Sequence, residues 1–175
     1  CILPLPMLCR LRKCCRPCVG VRRMATTLPR RGWPVQIKAP VQWGDQDAYM
    51  HVNNCQFYRW WESAHIAYLQ SIGIMLKGNA KDENGAIIAR SECNFLKPVS
   101  FPDTVTVCCR ATKLGNTSLS VEYLLLNKMG ESCATGSAIL VLFDYIAEAK
   151  YNINDELRAK VVDLENNAPD ISTKG

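Results

Sequence analysis

From residue 35 onward the chain shows two periodicities. Residues 35–43, VQIKAPVQW, alternate apolar and polar closely enough for a strand, with Pro40 marking an edge or a bulge. The stretch GDQDAYMHVNN at 44–54 is polar, turn-like and without period. Residues 55–75 carry the one long helical signal, because Phe57, Trp60, Trp61, Ala64, Tyr68 and Ile72 recur at steps of three and four. Ile66, Ala67 and Leu69 widen that face, so the helix is expected to be covered on most sides. Asn53 or Asn54 caps its start, and Gly73 and then Gly78 mark its end. After a loop at 77–85, four segments read as strands: 86–99, 103–115, 116–128 and 131–144. Val105, Val107, Cys109 and Ala111 share one face of the second; Leu119, Val121, Tyr123 and Leu125 are in phase in the third. LGNTS and NKMGES are short enough to be hairpin turns. Residues 153–165 predict a polar terminal helix, and 166–175 a frayed end.

A strand, a long helix and four more strands predict an α+β domain. Its five-stranded antiparallel sheet must cover one face, and the wide apolar girth of the helix makes the helix the cover, with the sheet curved strongly around it. An open sheet also leaves an edge strand, through which two copies can pair.

Composition changes this picture in one place. The chain has 175 residues, 48% hydrophobic and 21% charged, as expected of one globular domain with a tail, and no run of 18 apolar residues suggests a membrane span. The formal net charge of +5 is unevenly distributed. Residues 1–44 hold nine Lys or Arg and no acid, which leaves 12 basic and 16 acidic residues for 45–175. The body is therefore acidic, and the total is no footprint of nucleic-acid binding. Residues 1–34 read as a basic leader, 35–150 as the folded domain and 151–175 as a helix and tail. Arg10, Arg12, Lys13, Arg16, Arg22 and Arg23 resemble a mitochondrial presequence, while MATTLPRRGWP from Met24 equally suggests that 1–23 are translated upstream sequence. The expected location is the mitochondrial matrix or the cytoplasm. Ten cysteines in such a setting are expected as free thiols, not disulfides.

Reactive groups concentrate in 45–62: Asp45, Asp47, His51, Asn53, Asn54 and Glu62. His51 and His65 are the only histidines, which leaves little for a metal site, and neither metal nor cofactor is expected. His65 reads as structural and Cys55 as packing. No phosphate-binding Gly loop and no nucleophile elbow is present. The workable arrangement is a carboxylate at Asp47 just ahead of a helix whose first N–H groups have no partner within it; such groups hold an anion or a polarised carbonyl oxygen.

The segment VQWGDQDAYMHVNNCQFYRWWESA at 41–64, together with SECNFLKPVSFPDTVTV at 91–107, resembles the hot-dog-fold acyl-CoA thioesterases, in the 4-hydroxybenzoyl-CoA thioesterase-like branch. The resemblance implies a sheet wrapped round a central helix, a homodimer or homotetramer with sites at the interface, and hydrolysis of acyl-CoA or, in one branch, acyl-carrier-protein esters. It implies Asp47 as the catalytic carboxylate and the Asn54 backbone N–H as the group polarising the thioester carbonyl. His51 matches the histidine of the HVNN branch, and Glu92 is the match for a further carboxylate offered by the sheet. For substrate, Phe57, Tyr58 and Trp61 are expected to line the acyl site, and Arg59, Arg90 and Lys97 to meet the CoA phosphates. The aromatic walls, with two adjacent tryptophans closing the pocket, suggest medium-chain or aromatic acyl groups.

Overall fold

The computed structural model describes residues 32–74 and 84–165. Most of the leader, the expected Gly78 loop and the tail from 166 lie outside them. The elements are β1 (Val35–Pro40), a 3₁₀ turn (Trp43–Asp45), α1 (Asn54–Ser71), β2 (Asn84–Phe95), β3 (Thr104–Leu114), β4 (Ser118–Leu126), β5 (Ser132–Asp144), β6 (Ala149–Lys150) and α2 (Asp155–Glu165). Every pairing is antiparallel, in the order β1-β3-β4-β5-β2, with the two-residue β6 added to β5. The long strands and the helix match the pattern read from the sequence. β1 ends at Pro40, earlier than expected. β2 stops at Phe95, where the Leu96 and Lys97 N–H groups both turn to the Cys133 carbonyl.

Both ends of α1 follow local rules. Asn53 is the N-cap, its side chain accepting from the Cys55 N–H at 2.9 Å. At the other end the Ile74 N–H reaches the Leu69 carbonyl and the Gly73 N–H the Gln70 carbonyl. That pair of bonds needs a left-handed residue, and Gly73 supplies it with φ +90°.

The apolar face of α1 lies in the concave side of the sheet. Phe57, Trp60, Trp61, Ala64, Tyr68, Leu69 and Ile72 are all buried, against Val105, Val107, Ala111, Leu119, Val121, Tyr123 and Leu140. Trp61, 1% exposed, stacks on Tyr123 with ring centroids 4.9 Å apart and planes 10° apart. It also lies flat on β5, where a Cβ at Gly136 would sit 2.9 Å from Trp61 Nε1 and 2.7 Å from the Glu92 carbonyl oxygen. Gly136 is what lets the indole touch the sheet.

α2 does more than the polar pattern of 153–165 suggested. It starts after Asn154, whose side chain accepts from the Leu157 N–H, and it buries Val161 and Glu165. Glu165 Oε1 accepts from the Ala111 N–H at 2.6 Å, beside the bulge in β3 between Ala111 and Lys113. Burial pushes the Glu165 carboxyl up from its ordinary range, while the Ala111 N–H and the Tyr68 hydroxyl against it pull the other way. A buried acid is tolerated there because a ladder amide freed by the bulge needs an acceptor.

Gly136→Ala should therefore destabilise the fold by about 1–3 kcal/mol, since the methyl meets backbone on one side and a packed indole on the other. Urea unfolding midpoints of the two proteins measure this, and an unchanged midpoint would contradict the packing described.

Candidate active site

The segment between the 3₁₀ turn and α1 folds back on itself as a short hairpin. Gln46 bridges Val52 antiparallel, and the Asn53 N–H donates to the Asp45 carbonyl at 2.8 Å. The hairpin is pinned from outside by two bonds: the Val52 N–H to the Val99 carbonyl at 2.8 Å, and the Phe101 N–H to Gln46 Oε1 at 2.9 Å. Asp45 is spent on structure, its Oδ2 accepting from the Gln42 N–H at 2.7 Å.

Asp47 starts the tip. Its N–H donates to the His51 carbonyl at 2.8 Å, and its carbonyl accepts from the Met50 N–H at 3.1 Å. Asp47 Oδ1 accepts from the Tyr49 N–H at 2.8 Å and from the His51 N–H at 3.4 Å. Oδ2 has no partner among the described residues, so one oxygen fixes the carboxylate while the other faces outward. Met50 closes the turn with φ +63°, a left-handed conformation on a side chain that disfavours it.

Three residues past His51 the chain enters α1. The Cys55 N–H is taken by the Asn53 cap, and the Gln56 N–H reaches the Asn53 carbonyl. The Asn54 N–H has no acceptor among the described residues and sits at the positive end of the helix. Asp47, His51 and Asn54 thus share one hairpin and the helix it launches. The His51 contribution seen here is its backbone, which holds Asp47 from both sides.

The other expected site residues are spread more widely. Alternation along β5 from Gly136 toward α1 puts Ser137 on the opposite face, and its β2 neighbour Glu92 with it. Glu92 pairs there with Arg90 and accepts from the Ser137 hydroxyl at 3.3 Å. It belongs to a polar row that runs on through Glu122 to Arg110, whose guanidinium covers Trp33. The sheet therefore separates Glu92 from the concave face that holds α1, and the described residues do not bring it to Asp47. Lys97 is paired with Glu131 at 2.8 Å. Arg59 and Tyr58 are exposed on α1. Phe57 and Trp61 are packed in the subunit's own core, Phe57 edge-on to Phe95 at 5.0 Å. The curled sheet takes both rings into the core, whereas they were expected to line the acyl site. Gln46 and Met50 were not singled out by sequence; a tie to a loop 55 residues away and a left-handed methionine leave no local pattern.

His65 is structural in the sense expected. It is buried, its Nδ1 lies 2.9 Å from the Tyr123 hydroxyl, and burial lowers its pKa to about 4. Among the described residues no group of three or more His, Cys, Asp or Glu is placed to hold a metal ion. No helix among them is long and apolar enough to cross a membrane.

An antiparallel sheet curved around one central helix, with the loop before that helix carrying a carboxylate, is the hot-dog fold of thioesterases. The chain belongs to the thioesterase-like superfamily, whose family model matches residues 41–161. A thioesterase from Thermus thermophilus, solved with coenzyme A and Zn, is 31% identical, with a TM-score of 0.68, and covers 77% of this chain and 96% of its own. The DHNA-CoA thioesterase of Staphylococcus aureus shares the fold at 19% identity and a TM-score of 0.65, over 75% of this chain and 93% of its own. The uncharacterized protein YsmA of Bacillus subtilis strain 168 is 25% identical over 118 residues, 65% of this chain and 78% of its own length.

Because the folded state keeps His65 neutral, its contribution to stability is complete above the unfolded pKa near 6.5 and is lost as pH falls toward about 4. The loss should reach about 3 kcal/mol at full effect. Urea unfolding at a series of pH values should show a steeper acid loss for the native protein than for His65→Gln, and parallel curves would refute it.

Proposed function

We propose that this protein hydrolyses acyl-CoA thioesters to the free acid and coenzyme A, with Asp47 as the working carboxylate. The observation that carries this reading is the division of labour at Asp47: Oδ1 is held by the Tyr49 and His51 amides, Oδ2 has no partner among the described residues, and the same hairpin runs directly into the N-terminus of α1. A thioester carbonyl resting on the Asn54 N–H is polarised by that donor and by the helix dipole. As general base, Asp47 takes a proton from water, which adds to the carbonyl carbon. The tetrahedral oxyanion collapses, the C–S bond breaks, and the CoA thiolate recovers the proton from Asp47. As nucleophile, Oδ2 adds to the carbon directly, CoA leaves, and water hydrolyses the resulting mixed anhydride. The geometry suits both routes. His51 is proposed to border the site through its exposed imidazole; Glu92 fits better as part of the outer polar row.

The site is proposed to be completed in a homodimer. Asp47, His51 and Asn54 are all exposed, and a carboxylate in open water gains little from a dipole or a hydrogen bond. Among the described residues β2, twelve residues long, is an edge strand with Ile88 and Phe95 exposed, a surface suited to a second copy. The two tryptophans no longer support the expected acyl preference, because Trp60 and Trp61 are both buried in the core.

Asp47→Asn retains the acceptor that Tyr49 and His51 use, so the variant should fold normally while losing about 10²-fold or more in turnover of acyl-CoA esters. Thiol release with a chromogenic reagent, over a panel from acetyl- to palmitoyl-CoA, measures it. Equal rates for variant and native protein would remove Asp47 from the chemistry. Binding of CoA esters with no thiol released by the native protein would make the chain a binding module, and release from acyl-carrier-protein esters alone would change the carrier.

A further inference from the structure

Met50 holds a conformation that its own side chain makes costly. At φ +63° a glycine would sit without strain, whereas a residue with a Cβ gives up about 1–2 kcal/mol. Buried packing is the usual compensation, and it is missing here. Met50 is 51% exposed and its neighbour Tyr49 83%, and neither belongs to the apolar clusters of the described residues. What keeps the turn closed is the set of bonds at Asp47: the Met50 N–H to its carbonyl, and the Tyr49 and His51 N–H groups to Oδ1. The same bonds that aim the carboxylate therefore also project a flexible apolar side chain and an aromatic ring beside it, into solvent. A side chain kept at a position that suits glycine, uncovered by its own subunit, points to a contact made only when something else is bound.

We propose that Met50, backed by Tyr49, is the wall against which the acyl group of the thioester lies, and that it sets acyl selectivity. This rests on Asp47 being the carboxylate that addresses the thioester. With the reacting carbonyl against Asp47 Oδ2, the first carbons of the acyl chain fall beside the tip of the turn, whereas the charged phosphates at the far end of coenzyme A have nothing to gain from an apolar tip. An unbranched, polarisable thioether adapts to a linear chain or an aryl ring, and so grips acyl groups larger than acetyl without demanding one shape.

The test uses the full chain and two substitutions. Met50→Gly removes the side chain and keeps the turn, because glycine adopts the left-handed conformation freely. Met50→Leu restores an apolar side chain of similar size. Values of kcat/KM are measured for acetyl-, octanoyl- and benzoyl-CoA. Binding of a non-hydrolysable octanoyl thioether of coenzyme A is measured by calorimetry, and mass by light scattering. Met50→Gly should lower the octanoyl-to-acetyl and benzoyl-to-acetyl ratios by roughly tenfold and weaken thioether binding to a similar degree, with Met50→Leu recovering most of both. Unchanged ratios with unchanged thioether binding would overturn the inference while leaving Asp47 in place. A drop in assembly mass in Met50→Gly would overturn it in favour of a contact with a second copy. Hydrolysis that survives Asp47→Asn would overturn the Asp47 reading and this inference with it.

Discussion

The contact on which the rest depends is the face of the Trp61 indole laid against the sheet. It is stacked on Tyr123, it touches β5 where Gly136 has no side chain, and it carries α1 into the concave side of the sheet. One turn further along, His65 reaches the Tyr123 hydroxyl, so the same tyrosine receives two residues of the helix. Stacking fixes distance and tilt, and the hydrogen bond fixes rotation and register. A helix fixed in this way has its N-terminus fixed as well, and the hairpin that carries Asp47 is attached directly to that end. The position of the candidate site is thus set by packing about two to three turns down the helix from it.

The core accepts several polar groups, and in each case its geometry shows why. Burial holds His65 neutral, which suits an imidazole that serves only as a partner for Tyr123. Glu165 enters the core because the bulge in β3 frees the Ala111 N–H, and the last turn of α2 reaches far enough to supply an acceptor. Trp61 Nε1 finds no good acceptor among the described residues, with the Cys93 thiol, a weak one, against it. The flat contact of the ring outweighs that loss, because an indole buries far more apolar area than one weak N–H costs.

The site end of the molecule has the opposite character. Trp43 and Phe101, Tyr49 and Met50, and Phe95 beyond α1 are exposed around a hairpin made almost wholly of backbone and carboxylate hydrogen bonds. Uncovered apolar side chains around a rigid turn form a surface suited to be covered. Rigidity comes from the bonds to Asp47 Oδ1 and to Gln46.

The sequence by itself determined the elements and the segment that carries the candidate site. The three-and-four spacing from Phe57 to Ile72 and the alternation of Val105, Val107, Cys109 and Ala111 depend on covalent periodicity, which needs no tertiary information. Likewise Asp47, His51 and Asn54 lie within eight residues, so local connectivity alone keeps them near one another. What the tertiary structure decided was everything that depends on which face a strand presents and how far the sheet curls. Glu92 lies on the outer face because one residue of register reverses every side chain of a strand. Phe57 and Trp61 belong to the core because the curved sheet encloses more of the helix than a flat one would. The left-handed turn at Met50 is held by the bonds at Asp47, whereas the pinning of the hairpin by Phe101 and Val99 joins segments some fifty residues apart, a distance over which no sequence pattern extends.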